Sequence, residues 1–135
     1  MEIEQFRVTL KARDYERSRR FYGGTLALPE LGSWERDDLQ GTLYQVGPGT
    51  LEVLGRVPGA PRRPDDPAFE YRGPEHETVL NLVVPSPETA YDELIFRDKN
   101  VPGGLVQEDD GATVFQTHDP DGVKIVLRRA EDAEP

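Results

Sequence analysis

Thr113 Val114 Phe115 Gln116 Thr117, followed by His118 Asp119 Pro120 Asp121 Gly122 and then Val123 Lys124 Ile125 Val126 Leu127 Arg128, decides the fold. Pro120 presets φ, Gly122 supplies φ > 0 at little steric cost, and both flanks are rich in β-branched residues, so the stretch reads as a hairpin. In the returning strand Ile125 and Leu127 point one way while Lys124, Val126 and Arg128 point the other. One face is packed. The other is addressed to solvent or a cavity, and function belongs there.

Working outward, residues Ile3 to Ala12 alternate Phe6, Val8, Leu10 and Ala12 against Gln5, Arg7, Thr9 and Lys11, the period of a strand with one buried face. Asp14 suits a helix N-cap, Tyr15, Ser18, Phe21 and Tyr22 fall near helical spacing, and Gly23 Gly24 are expected to end the helix with a left-handed cap. Strands follow at Ser33 to Arg36, Thr42 to Val46 and Thr50 to Leu54. Five prolines between Gly55 and Glu77 mark a linker or excursion, either a lid or slack between modules. Beyond it the order repeats. A strand at Thr78 to Val84 precedes a helix from Ser86 to about Lys99, with Tyr91, Leu94 and Ile95 on one face and Glu93 paired to Arg97. Strands near Leu105, at Thr113 to Thr117 and at Val123 to Arg128 complete it. The expected organisation is α+β: one domain over 1–135, with βαβββ modules at about 3–54 and 78–129, a linker at 55–77 and an acidic tail at 130–135.

At 135 residues the chain can bury one real core but not two ordinary independent ones. A net charge of -10 repels nucleic acid and anionic membrane, so neither is an expected partner. The absence of cysteine excludes disulfides, thiolate metal ligands and a cysteine nucleophile. No apolar run reaches membrane-spanning length, and Met1 Glu2 Ile3 Glu4 is acidic where a signal peptide is basic and then apolar, so a cytoplasmic protein is expected.

Val8 Thr9 Leu10 Lys11 Ala12 Arg13 Asp14, Ser18 Arg19 Arg20 Phe21 Tyr22 and the Asp119 Pro120 Asp121 Gly122 turn together resemble the vicinal oxygen chelate superfamily. That group holds glyoxalase I, extradiol dioxygenases, fosfomycin resistance enzymes and bleomycin resistance proteins, and the resemblance covers about residues 3 to 129. It implies two modules curling into a U-shaped, cleft-enclosing mixed β-sheet, with a divalent metal held from the first and last strand of each module. Carried over, the ligand positions are Arg7, Glu52, Val79 and Val126. Only Glu52 has a donor to give, because arginine keeps its proton and valine has none. The inherited metal site is therefore expected to be lost, with no metal and no cofactor. His76 and His118 diverge from these positions and read as surface histidines.

Parity places Gln5, Thr9, Lys11, Leu54, Asn81, Val83, Lys124 and Arg128 on the face of those four positions. Trp34 and Tyr44 are the aromatic candidates for its walls. The expected ligand-binding set is thus Arg7, Thr9, Trp34, Tyr44, Glu52, Asn81, Lys124 and Val126. An Arg7–Glu52 pair in place of the ion is either structural or an anchor for a ligand. Lys11, Lys124 and Arg128 make the cleft more basic than the whole protein, in conflict with an acidic trap for a cationic drug. The leading reading is a metal-free protein that binds or sequesters a small molecule and, as the resemblance implies, forms a homodimer. The alternative is a lyase, isomerase or dioxygenase-like enzyme using Glu52 as base or a non-standard metal site, and a scaffold with a vestigial cleft is the third.

Overall fold

The computed structural model describes residues 1–59, 78–97, 99, 101–109 and 111–130. Most of the proline-rich linker and the end of the acidic tail, with His76 and Glu77, lie outside the described residues. The chain divides into two compact units, Met1–Arg72 and Gly73–Pro135. Each has the order βαβββ and its own four-stranded mixed sheet.

In the first unit β1 (Arg7–Lys11) leads into α1 (Tyr15–Arg19) and a π-helical turn (Arg20–Thr25), then β2 (Glu30–Arg36), β3 (Leu39–Val46) and β4 (Gly49–Arg56). The sheet order is β1-β4-β3-β2, with β1 parallel to β4 and the other pairs antiparallel. Asp14 caps α1 by accepting from the Arg17 amide at 3.2 Å. The helix lies directly on the sheet. A Cβ at Gly55 would stand 2.6 Å from Tyr15 Cβ, and the Tyr15 and Thr42 hydroxyls share a buried hydrogen bond. Tyr22, Tyr44, Leu51 and Val53 fill the space between, and their burial drives the association.

Two expectations fail here. The glycines at 23 and 24 do not end the helix: the backbone runs through them as a π turn, the capping Leu26 is right-handed, and positive φ comes only at Ala27. Gly23 instead permits a close approach, since its Cβ would lie 3.3 Å from Tyr44 Cε1. The first strand also starts later than its alternation suggests. Ile3 and Phe6 stay exposed, at 66% and 69%, because β4 begins pairing opposite Arg7.

The second unit comprises β5 (Val79–Val83), α2 (Pro87–Phe96), β6 (Val106–Gln107), β7 (Thr113–His118) and β8 (Lys124–Arg128), in sheet order β5-β8-β7-β6. Ser86 caps α2 by accepting from the Thr89 amide, Pro87 opens it, and Glu93 meets Arg97 at 3.7 Å. Leu94 is buried and Tyr91 stands edge-on to Phe115 at 5.6 Å, but Ile95 is 45% exposed and does not share their face. The deciding hairpin forms, with its turn starting at Asp119. Asp119 Oδ1 accepts from the amides of Asp121 and Val123 at 2.8 Å each, and Gly122 takes φ of 88°. Among the described residues no helix is long and apolar enough to cross a membrane.

Candidate functional site

Among the described residues of each unit, one sheet face is covered by its helix and the other, open face is covered by no helix of that unit. Register assigns residues to faces, because strand partners share one. In the first unit Arg7, Thr9 and Lys11 stand opposite Thr50, Glu52 and Leu54, and Glu52 stands opposite Leu43 of β3. Trp34 of β2 stands opposite Gly41, itself opposite Leu54, so the indole belongs to the same open face.

Glu52 is the centre of this face. Thr9 Oγ1 donates to its Oε1 at 3.0 Å, Trp34 Nε1 donates to its Oε2 at 2.9 Å, and Arg7 Nη1 lies 3.9 Å from the same Oε2. The Glu52 side chain is only 12% exposed, whereas that of Arg7 is 39% exposed and also meets Gln5 at 3.4 Å. A carboxylate this buried needs hydrogen-bond partners, and Thr9 and Trp34 supply one to each oxygen. The sequence-derived residues Arg7, Thr9, Trp34 and Glu52 are thereby brought together. Two supporting residues were not anticipated. Gly41 gives the indole its path, since a Cβ there would lie 2.6 Å from Trp34 Cε2 and Nε1, and the Arg36 guanidinium sits 5.9 Å from the indole centroid. The glycine's role depends on the β2–β3 register, which local sequence does not supply.

Tyr44 must be removed from this set. It stands opposite Leu51, on the helix-covered face, is 1% exposed, and donates its hydroxyl to the Arg19 carbonyl at 3.3 Å. An odd offset from the open-face residues of β3 puts it in the core. Burial pushes its phenol pKa above the ordinary value, against an opposing contribution from Arg19.

In the second unit Asn81 stands opposite Val126, with Val79 opposite Lys124 and Val83 opposite Arg128. Asn81, Lys124 and Val126 therefore share one open face, as Gln116 and His118 of β7 do with them. His118 was expected within the turn. It is instead the last residue of β7, paired with Lys124, because the turn begins only at Asp119. Arg128 Nη2 meets Glu108 Oε1 at 3.3 Å.

A divalent ion at the four inherited positions does not fit these residues. Val79 and Val126 offer no donor, and both oxygens of Glu52 already accept from side chains of its own sheet. Among the described residues no three His, Asp or Glu side chains group as a metal site would require.

Two βαβββ units, each pairing its first and last strands in parallel and closing with antiparallel neighbours, define an α+β class of paired-module folds. The chain shares its fold with glyoxalase and bleomycin resistance proteins of known structure. The crystal structure of SMU.1112c matches 96% of this chain and 99% of its own, at 22% identity and a TM-score of 0.72. The trypanothione-dependent glyoxalase I of Leishmania major matches 95% and 87%, at 18% identity and 0.67. A glyoxalase / bleomycin resistance protein from Catenulispora acidiphila matches 94% and 98%, at 12% identity and 0.65. No family model matches the sequence, and no curated protein matches it significantly. At these identities the likeness is one of fold.

Proposed function

We propose that this protein binds a small organic molecule, a drug or metabolite, on an open sheet face, that of the first unit with Arg7, Thr9, Trp34 and Glu52. One observation carries the reading: the Glu52 carboxylate is clasped by Thr9, Trp34 and Arg7 where the resembled family places a metal ligand. Such a clasp holds a half-buried indole and a half-exposed guanidinium in fixed places, and preorganised groups of this kind bind without a large ordering penalty. The same clasp engages both oxygens of Glu52, which favours an anchoring role over proton abstraction and sets binding ahead of catalysis. Binding is proposed to be independent of a metal, in the cytoplasm and in a homodimer, the last measurable by size-exclusion chromatography with light scattering.

Trp34 is the only tryptophan of the chain, so its fluorescence reports on this site alone. A screen of drugs and metabolites should find compounds that shift its emission. For such a compound Arg7→Met should weaken binding at least about tenfold, the equivalent of one lost charged hydrogen bond. Its melting temperature should stay close to that of the parent. A large fall in melting temperature with unchanged affinity would make the Arg7–Glu52 pair structural instead.

A further inference from the structure

The net charge of -10 suggests a cationic ligand, but the open faces carry the opposite sign. In the first unit the strand residues on the Glu52 face include Arg7, Lys11, Arg36 and Arg56 against a single carboxylate. Glu52 is spent on Arg7, Thr9 and Trp34, and Arg56 is spent on Asp38 at 3.5 Å. Lys11 and Arg36 remain, one on each side of the clasp: Lys11 is exposed in β1, and Arg36 leans on the indole. The second unit, taken by itself, repeats the sign. Lys124 and Arg128 lie on its open face, whose strands contribute no carboxylate, and Glu108 meets Arg128 from beyond β6.

We infer that the ligand is an organic oxyanion, a carboxylate or phosphate carried on a flat apolar body, with the body against Trp34 and the charge between Lys11 and Arg36. The inference rests on the binding reading above and narrows it. Acidic residues more than roughly 10 Å away contribute little to the local field, because charges at that distance are largely screened at 0.1 M salt while neighbours on the same face are not. The indole supplies the apolar surface, and its edge is already committed to Glu52.

The test uses four matched probes with one aromatic body: benzoate and phenylphosphate as anions, benzyl alcohol as the neutral form and benzylammonium as the cation. Each is titrated into the full chain and followed by Trp34 fluorescence and by amide shifts in NMR. The anions should bind about tenfold tighter than benzylammonium, as expected for two partly exposed cations. The preference should vanish in Lys11→Gln/Arg36→Gln and shrink as salt rises. Both side chains lie on the open face, so the variant should melt near the parent temperature. Benzylammonium or benzyl alcohol binding as tightly as the anions, with Trp34 responding, would overturn the oxyanion assignment and leave the binding site standing. Silence of Trp34 and of its neighbouring amides toward all four probes at millimolar concentration would overturn the site itself.

Discussion

At the scale of single residues, the site depends on an atom that is missing. Gly41 lets the indole of Trp34 lie across β3 and reach Glu52, and any side chain there collides with ring atoms at 2.6 Å. Gly41→Ala should therefore displace the indole, lengthen or break its bond to Glu52, and cost about 1–3 kcal/mol as overpacking does. A red-shifted Trp34 emission with a lowered denaturation midpoint is the expected result. Tyr44 gives a second prediction, on pH. Its folded pKa is raised above the ordinary 10.0 by burial, so the unfolded chain gives up this proton first as pH rises. Stability from this group is full below pH 10 and is lost as pH climbs from there through the higher folded value. Melting temperature should fall above that pH less steeply in Tyr44→Phe than in the parent. Both residues show how far sequence reaches. The parity of Arg7, Thr9 and Glu52 was legible because each lies in a regular strand, and Tyr44 was misplaced because an aromatic near a site carries no sign of which face it takes.

At the scale of elements, the helix of the first unit and the deciding hairpin of the second are held by different means. α1 sits so close to β4 that Gly55 has no room for a Cβ beside Tyr15, so Gly55→Ala should push the helix away and disturb the Tyr15–Thr42 bond. The cost should be about 1–3 kcal/mol. Gly24, in the π turn, has nothing within 4 Å of its Cβ position and no positive φ, so Gly24→Ala should be neutral or stabilise by up to about 1 kcal/mol. Thermal melts of the two variants separate these outcomes. The hairpin instead hangs on Asp119, 7% exposed and accepting two backbone amides; Asp119→Ala leaves both unpaired and should cost about 1–3 kcal/mol. The hairpin was legible because its turn chemistry is local. The π turn was not: its path through Gly23 is fixed by the tyrosine beneath it, and adjacent glycines allow a stop without requiring one.

At the scale of the whole molecule, the fold and the chemistry of its inherited positions point in different directions. The architecture is shared with glyoxalases of known structure, yet Arg7, Val79 and Val126 stand where the sequence resemblance places metal ligands and Glu52 binds its own neighbours. A metal that bound the native state would reveal itself thermodynamically. Ligand at a thousand times its dissociation constant stabilises by about 4 kcal/mol, and for a chain of this size that moves the melting temperature by more than about 10 °C. The purified protein is therefore expected to contain no stoichiometric transition metal and to melt at the same temperature in chelator as in added Zn²⁺, Ni²⁺, Mn²⁺ or Mg²⁺. Elemental analysis and a calorimetric melt measure both. A chelator-sensitive melt with one bound ion per chain would mean that other side chains, outside the register argued for Glu52 and Val126, complete a site, and a metalloenzyme would then displace the binding protein. An oxyanion probe, by contrast, should raise the melting temperature with chelator present or absent, because Lys11 and Arg36 supply its counter-charge without an ion.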